Sequence, residues 1–405
     1  MVYSVARQQS RKSWLESPCF DFSETEKPMI EFELWQAFES NRDGAVLQYS
    51  LNNGDSWKVI GEPDKGVRTG YNSFKITVGP RVTTGTGWSG NLAEGWEIAK
   101  QRLDEVGGKA NVIFRLLYAS DGTAINSNGL AFNNISIGKQ TKTSLVEHFT
   151  NFSDSASTNA NAFLNNLDNT DLAEVIRIHY HTGYPLANGL YDFNASMVNV
   201  RQLFYTVTDA PFTILDGTQY FDYDQKAISE NRFEEQLLKP ASIQLTVNKT
   251  ISGNLLTINT QVAVQSEVTD SKLSLFVAVI EKDVVVSQNG RQHVFNNVAR
   301  EILPTPAGAS LKDKLQVGKP FLTKTEYVID NEKLNAENLY AVAFVQNMET
   351  LEVLQAESDF KPLATGTNKP QSYSKALLVF PNPAIDQITL DFNKPMLRGT
   401  LRILI

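Results

Sequence analysis

The stretch from residue 145 to residue 167 constrains this chain more than any other, because it predicts three elements in a fixed order. Leu145, Val146 and Phe149 predict a short buried strand. A loop rich in Ser, Asp and Asn follows, and it leads into a helix whose apolar residues recur at intervals of three and four. These apolar residues are Ala160, Phe163, Leu164 and Leu167. The amide groups at such a helix N-terminus lower the pKa of a thiol placed there, but this loop contains no cysteine.

The residues downstream add a second strand, a second helix and a third strand. Apolar residues around Ile176 predict the second strand, and the segment from Met197 to Tyr205 has a helical pattern. Pro211 stands immediately before the third strand, which ends at Asp216 and Gly217. An Asp-Gly pair is typical of the tight turn of a β-hairpin. The segment therefore predicts an α/β unit whose last strands form a hairpin.

The order of these elements resembles the thioredoxin-like domain of a Bacteroidota family of outer-membrane and secreted proteins. The resemblance covers roughly residues 145–227 and includes the segment 147–151, which precedes a Cys-x-x-Cys pair in that family. It implies that Pro211 is in the cis form and faces the redox loop, and that the two cysteine positions fall on Asp154 and Ser157. Thiol-disulfide exchange requires a thiolate and a second sulfur. We therefore expect a thioredoxin scaffold that has lost its redox function.

The chain as a whole predicts a multidomain, mainly β protein, since short segments of alternating apolar and polar residues recur between Gly, Asn, Asp and Pro turns. The expected order is a jelly-roll (MAM-like) β-sandwich, an α/β thioredoxin-like domain without the Cys-x-x-Cys pair, an Ig-like β-sandwich, a linker and an incomplete sorting domain. Their predicted ranges are 13–139, 144–240, 241–360, 361–375 and 376–405. One amphipathic helix, from Glu94 to Val106, is predicted to interrupt the first sandwich.

The first β region ends in a strand, Gly129 to Ile137, that resembles the closing strand of MAM-like jelly rolls in cell-surface proteins. Relatives carry Asp where Asn133 and Asn134 stand, and two neutral amides bind Ca²⁺ less well than two carboxylates. We therefore expect no cofactor, with a structural Ca²⁺ as the open alternative. Jelly rolls of this kind often bind carbohydrate on exposed aromatic side chains. The candidates here are Trp35, Trp57, Trp88 and Trp96.

The C-terminal region carries the motif Pro381-Asn382-Pro383, followed by Asp386 and an alternating apolar strand. This resembles the opening of the C-terminal sorting domain used by the type IX secretion system. Such domains contain several further strands, whereas this chain stops at Ile405, so we expect a fragment of a longer protein that also lacks its signal peptide. The implied partner is the type IX secretion machinery. The implied location is the outer cell surface or the medium, reached through the periplasm.

Charge, cysteine content and hydropathy narrow the function further. The net charge of -8 argues against a nucleic-acid partner. Cys19 is the single cysteine, which excludes an intrachain disulfide and a thiolate metal cluster. The longest apolar run, Leu275 to Ile280, is far shorter than the ~20 residues of a transmembrane helix. His148, His179 and His181 invite a metal interpretation, but their spacing matches no zinc signature and we expect no metal.

These observations together predict a non-catalytic, secreted cell-surface protein. It would serve adhesion, gliding or surface assembly and would contact cell-surface proteins or glycans. The motifs do not combine into a nucleophile, a base and an oxyanion-binding group. Two alternatives are left open: a carbohydrate-binding accessory protein, and a relative of the thiol-disulfide oxidoreductases that has lost its activity.

Overall fold

The protein is mainly β and divides into two compact units. The N-terminal unit contains residues 1–140 together with 366–405, and the central unit contains residues 141–365. The computed structural model describes residues 11–37, 39–61, 67–68, 71–73, 76, 85–91, 95–120, 129–166, 175–221, 230–265, 272–288, 291–360, 375–380, 389–392 and 403–404.

The strands of the chain, numbered in order, begin with β1 (Arg11–Phe20), β2 (Pro28–Ala37), β3 (Gly44–Ser50), β4 (Lys58–Val59), β5 (Val67–Arg68), β6 (Glu97–Arg102), β7 (Val112–Ser120) and β8 (Gly129–Lys139). The central unit contributes β9 (Leu145–Thr150), β10 (Ile176–His181), β11 (Phe212–Leu215), β12 (Gln219–Phe221), β13 (Ile243–Ser252), β14 (Leu255–Val264), β15 (Leu273–Gln288), β16 (Arg291–Leu303), β17 (Ala309–Ser310), β18 (Phe321–Val328), β19 (Leu339–Asn347) and β20 (Val353–Ser358). The last strands are β21 (Lys375–Phe380), β22 (Thr389–Phe392) and β23 (Ile403–Leu404). The helices are α1 (Ser155–Asn166), α2 (Gly189–Asp192), α3 (Ala195–Phe204) and α4 (Glu230–Leu237).

Two antiparallel sheets form the N-terminal unit. One has the order β23-β1-β7-β3-β4 and the other the order β22-β21-β8-β2-β6-β5. The hydrophobic core contains residues of both sheets. The residues of strand β2, for example, alternate between buried and half-buried over its full length, so that every second side chain belongs to the buried face of its sheet. Trp88 is the largest side chain of this core, and its ring lies 4.6 Å from that of Tyr71 and 5.6 Å from that of Phe32.

The helix predicted from Glu94 to Val106 is wrong. Residues Glu97–Arg102 form strand β6, which pairs with β2, and only Asp104–Val106 make a single 3-10 turn. Ala99 and Leu103 fit a helical stripe, but in the structure they are buried together with Gln101, which is the period of two that a strand requires. Because the buried residue Gln101 is polar, the pattern of apolar residues in the sequence does not show this alternation.

One continuous sheet runs through the central unit, in the order β12-β11-β9-β10-β16-β15-β19-β20, with β17 beside β15. Strand β10 pairs in parallel with β16, where His179 stands opposite Val298. The predicted domain boundary at residue 240 lies between α4 and β13, yet the sheet joins elements from both sides of it. A second sheet, β13-β14-β18, shares a hydrophobic core with alternate residues of β15, namely Leu275, Val277 and Val279.

A further hydrophobic core of the central unit combines residues of both predicted domains. It contains Phe149 and Tyr180 from the N-terminal side of residue 240 and Phe276 and Phe344 from its C-terminal side. The rings of Phe276 and Phe344 are stacked with centroids 4.9 Å apart. A shared core of this kind means that the two halves cannot separate without exposing apolar surface to water.

A fully buried ion pair lies inside this shared core. The guanidinium of Arg201, on α3, donates to both carboxylate oxygens of Glu147, on β9, over 2.6 and 2.8 Å. Tyr180 and Tyr205 each donate a hydroxyl hydrogen to the same carboxylate, at 2.9 and 2.6 Å. Arg201 also donates to the side-chain oxygen of Gln346, on β19, at 2.8 Å. The pair therefore connects strand β9, before residue 240, to strand β19, after it.

The environment of Arg201 keeps it charged. Burial alone would lower its pKa, but the Glu147 carboxylate, together with Tyr205 and Tyr180, outweighs that effect and holds the pKa above its usual value. The guanidinium carbon lies 4.8 Å from the ring centroid of Phe276 and 5.4 Å from that of Phe344, so aromatic faces supply the remaining contacts.

Replacing Arg201 with Met should destabilise the protein by about 3–5 kcal/mol, because it leaves the Glu147 carboxylate buried without a counter-charge. The double variant Glu147→Gln/Arg201→Met should recover part of this loss, with a coupling above about 1 kcal/mol. Urea unfolding of the purified variants measures both values. Lys333→Met, which breaks the exposed ion pair with Asp330, is the control and should leave the midpoint unchanged. If Arg201→Met lost as little stability as the control, the ion pair would not stabilise the central unit.

Candidate functional site

The loop between β9 and α1 is where a thioredoxin-type protein would carry its reactive cysteines. Asp154 stands immediately before the helix, and its Oδ2 accepts a hydrogen bond of 2.6 Å from the backbone N–H of Ser157. The backbone carbonyl of Asp154 accepts the amide of Thr158 at 3.2 Å, which is the first hydrogen bond of a helical turn. Asp154 therefore acts as an N-cap, and its carboxylate is used to satisfy the helix terminus.

Ser157 is completely buried, three residues further along. Its Oγ accepts a hydrogen bond of 3.2 Å from the backbone N–H of Asn151. The side-chain amide of Asn151 donates to the backbone carbonyl oxygens of Thr182 and Leu186, at 2.8 and 2.9 Å. The loop is thus fastened to the segment after β10, and the hydroxyl of Ser157 is enclosed rather than presented to a substrate.

Pro211 lies next to this loop by strand register. Phe212 pairs with Phe149 in the antiparallel pair of β11 and β9, so Pro211 falls level with Thr150 at the end of β9. The peptide bond between Ala210 and Pro211 is cis. The structure therefore brings Pro211 to the end of the sheet at which Asp154 and Ser157 lie.

Neither position of this loop can perform thiol chemistry. A carboxylate and a hydroxyl provide no sulfur for exchange, and Cys19, the single cysteine of the sequence, lies on β1 in the N-terminal unit. Burial and the nearby Asp21 carboxylate both raise the pKa of the Cys19 thiol. A raised pKa reduces the thiolate fraction on which reactivity depends.

A row of buried polar side chains lies between the sheet and α1. We call it the histidine row, and it consists of His148, His179 and His181. His148 Nε2 lies 2.9 Å from Oδ1 of Asn161 and its Nδ1 lies 2.6 Å from the hydroxyl of Thr213. Since the amide oxygen only accepts hydrogen bonds, Nε2 carries the proton and Nδ1 accepts from Thr213. The rings of His148 and His179 meet edge to face, with centroids 5.1 Å apart.

All three imidazoles are held in the neutral form. Burial lowers the pKa of His148 to about 4, although the hydrogen bond to Asn161 opposes the shift. Burial, together with His148 and Arg300, lowers the pKa of His181 to about 3. The pKa of His179 is also well below its usual value, first because of burial and then because of neighbouring basic groups. Burial and the neighbouring basic groups both disfavour the charged ring.

The histidines of this row make hydrogen bonds and ring contacts within the protein. Within the part of the chain that the structure describes, no group of three or more His, Cys, Asp or Glu side chains is placed to hold a metal ion. Both ring nitrogens of His148 are already hydrogen-bonded. His181 instead meets the ring of Phe295 edge to face, with centroids 5.1 Å apart.

The residues predicted for a Ca²⁺ site and for the sorting motif lie away from the histidine row in the sequence. Asn133 donates to a carboxylate oxygen of Glu33 at 3.3 Å, and Asn134 is exposed with a positive φ of 50°. The sorting motif lies outside the described residues, and it consists of Pro381, Asn382, Pro383 and Asp386. Among the described residues, no helix is both long enough and apolar enough to cross a membrane.

The Glu147–Arg201 network was missed by the sequence reasoning. The available signal was a charged residue in the middle of each of two apolar elements, the strand Leu145–Thr150 and the helix Ala195–Phe204. A charge is buried at low cost only when it is paired with an opposite charge. The sequence could therefore have predicted an ion pair between Glu147 and Arg201.

Comparison with known proteins gives one family match. The family described as Outer membrane protein Omp28 matches residues 201–360, which run from the last turn of α3 to the residues just after β20. No curated protein matches the chain.

Solved structures give only distant similarity. HBP35 of Porphyromonas gingivalis has 14% identity over 65% of this chain and 91% of its own, with a TM-score of 0.44. A structural-genomics protein from Agrobacterium tumefaciens has 13% identity over 56% of this chain and 97% of its own, with a TM-score of 0.38. A β-glucosidase from Kluyveromyces marxianus has 9% identity over 89% of this chain and 46% of its own, with a TM-score of 0.17. Scores this low establish no shared overall fold.

The histidine row should make the protein sensitive to acid. An unfolded chain binds protons at His with a pKa near 6.5, whereas His148 and His181 in the folded protein require about pH 4 and about pH 3. Stability is therefore complete above about pH 6.5 and is lost as the pH falls from there toward 4, by several kcal/mol at about 1.4 kcal/mol per pKa unit.

His181→Leu tests this dependence. Neither ring nitrogen of His181 has a hydrogen-bond partner among the described residues, so the variant should stay within about 1 kcal/mol of the wild type at pH 7.5 and lose less stability at pH 4.5. His293→Leu, at an exposed position of the β15–β16 hairpin, is the matched control and should follow the wild type. Equal acid sensitivity of His181→Leu and the wild type in urea unfolding would refute the assignment.

Asp154→Cys/Ser157→Cys, made in a Cys19→Ser background, should form an intramolecular disulfide under mild oxidation. The carboxylate of Asp154 already touches the backbone of Ser157, and paired cysteines require Cα atoms within about 7 Å. Loss of the cap should cost about 1 kcal/mol. Titration of free thiols before and after oxidation gives the result, with Asp154→Cys alone as the control. Two thiols that stay free would contradict the placement of the cysteine positions.

Proposed function

We propose that this chain belongs to a non-catalytic protein that is displayed on or released from the cell surface of a member of the Bacteroidota. The observation that carries the proposal is the conversion of the β9–α1 loop into a structural cap, in which Asp154 satisfies the helix terminus and Ser157 is enclosed. An exchange enzyme needs an accessible thiolate at this place. The match of residues 201–360 to an outer membrane protein family supports the location.

The proposed domain identities are a jelly-roll β-sandwich, a degenerate thioredoxin-like segment and an Ig-like β-sandwich. The strand order of the second supports its assignment, because β10 runs parallel to β9 while β11 and β12 follow on the other side in antiparallel orientation. Helix α1 connects the two parallel strands, as a crossover helix does. In this proposal the thioredoxin-like segment retains only its structural role and is joined to the Ig-like segment by the shared sheet.

Export through the type IX secretion system is the route that we propose, on the basis of the motif Pro381-Asn382-Pro383 with Asp386. The secretion machinery would then be the first partner, and cell-surface proteins or glycans the later ones. Adhesion, gliding or surface assembly would be the role, since each needs binding surfaces and no chemistry. The protein needs no cofactor for this purpose.

Fractionation of the native host, with and without a working type IX system, tests the proposal. An antibody raised against the central unit, residues 141–365, should detect the protein at the surface or in the medium of the wild type. In the secretion mutant the signal should move to the periplasm. A periplasmic and a cytoplasmic marker protein serve as controls for cell lysis. A cytoplasmic signal in both strains would overturn the proposal.

A further inference from the structure

Strand β18 ends the smaller sheet of the central unit. In the order β13-β14-β18 it pairs with β14 on one side, and among the described residues no strand pairs with it on the other side. The strand at the opposite end, β13, differs, because the backbone carbonyl of Ile243 accepts a hydrogen bond of 3.2 Å from the side chain of Gln355, on β20. An open strand edge is a row of unpaired amide and carbonyl groups with which another strand can pair.

One hydrogen bond fixes the direction of the peptide groups of β18. The amide of Ile329, immediately after the strand, donates to the carbonyl of Asn254, immediately before β14, at 2.7 Å. Because peptide groups alternate in direction along a strand, the odd-numbered residues of β18 direct their amide and carbonyl groups to β14. The even-numbered residues direct theirs to the open edge. They are Leu322, Lys324, Glu326 and Val328.

The side chains of the same residues are exposed on the outer face of this sheet. Leu322 and Val328 leave 69% and 66% of their surface in contact with solvent. Lys324 and Glu326 form an ion pair of 2.5 Å along the strand, with side chains that are 58% and 47% exposed. A long edge strand with exposed apolar side chains tends to pair with another strand, and charged side chains restrict which strand it accepts.

The order of these side chains is complementary to itself in the antiparallel direction. When two copies of β18 run antiparallel and are centred on Thr325, Lys324 of each copy stands opposite Glu326 of the other. Leu322 of each copy then stands opposite Val328 of the other. Opposite charges and apolar side chains in directly opposed positions stabilise a sheet. A shift of one copy by two residues would place either Lys324 or Glu326 opposite itself, and like charges there are destabilising.

Thr325, at the centre of this register, supplies a second observation. Its hydroxyl oxygen is buried and has no hydrogen-bond partner among the described residues. Since its peptide groups point to β14, the two copies of Thr325 would form a pair without hydrogen bonds between their peptide groups, in which the Cα atoms are about 4.5 Å apart. Threonines that face each other in this way can hydrogen-bond through their hydroxyl groups. The register that the charges select therefore also offers this hydroxyl a partner.

We propose that β18 pairs with β18 of a second copy of this chain, antiparallel and centred on Thr325, and so joins the three-stranded sheets of two copies into one sheet. A two-fold symmetric interface must be complementary to itself, and β18 has that property. A seam between two strands is smaller than the about 800 Å² per partner of a standard interface, so we expect a dissociation constant on the order of 10 µM. Such a dimer is independent of the export route and of the surface role proposed above.

Sedimentation of the purified full chain over a concentration series tests the proposal. The wild type should pass from monomer to dimer without larger species, because a two-fold contact closes on itself. Lys324→Glu and Glu326→Lys should each raise the dissociation constant at least about tenfold, since like charges then face each other. An equal mixture of these two variants should dimerise again, because an acidic edge then meets a basic one.

The control for these charge changes is Lys272→Glu. It reverses one charge of the exposed ion pair between Lys272 and Glu349, outside β18, and should leave dimerisation unchanged. Thermal unfolding of each variant should match the wild type closely, because exposed ion pairs contribute little to stability. A loss of dimer can then be assigned to the strand edge.

Disulfide trapping tests the register itself. Thr325→Cys, made in a Cys19→Ser background, should give a disulfide-linked dimer under mild oxidation, because Cα atoms about 4.5 Å apart lie within the range that a disulfide requires. Thr323→Cys is the matched control, since it lies on the same face of the same strand and is also half-buried. In the proposed register Thr323 stands opposite Tyr327 of the other copy, so this variant should stay monomeric on a non-reducing gel.

Three outcomes contradict the proposed dimer. They are a wild type that stays monomeric throughout the concentration series, dimerisation of Lys324→Glu that is as strong as that of the wild type, and equal cross-linking through residues 323 and 325. The first would leave the edge of β18 to a strand of a different protein. The second and third would mean that two copies associate through another surface or in another register.

Discussion

The buried ion pair between Glu147 and Arg201 is the interaction on which the central unit depends. It joins β9 to α3 and, through Gln346, reaches β19. Four hydrogen bonds converge on the one carboxylate, two from the guanidinium and one from each of two tyrosines. A charge taken so far from water is tolerated only when all of these donors are in place. The pair thus fixes the relative position of segments that are far apart in the sequence.

The two faces of β9 have different surroundings. Residues of β9 alternate, so that Leu145, Glu147 and Phe149 face the shared core while His148 and Thr150 face α1. Helix α1 begins with a carboxylate cap, and the neutral histidines on this face are hydrogen-bonded or in edge-to-face ring contact. A redox loop must keep one thiol accessible and reactive. At this place Asp154 caps helix α1 and the hydroxyl of Ser157 is buried, and neither side chain is a thiol.

Sequence reasoning was most successful where a single element and its neighbours in the chain decide the structure. The strand from Leu145, the helix that follows it and the hairpin at Asp216 and Gly217 all lie close to their predicted positions. It failed for residues 94–106, because the buried Gln101 hid the alternation of β6. Nor could it find the Glu147–Arg201 pair, which only the packing of α3 on the sheet creates.

The sequence by itself determined the mainly β composition, the absence of paired cysteines and the strand, loop and helix order around Asp154, because these depend on residue identity and short-range periodicity. Only the tertiary structure decided that a single sheet crosses residue 240, that Trp88 is buried while Trp96 is exposed, and that three histidines are neutral. Those properties depend on which distant strands become neighbours. Pairing between distant strands is set by the burial of whole faces at once, and no local pattern encodes it.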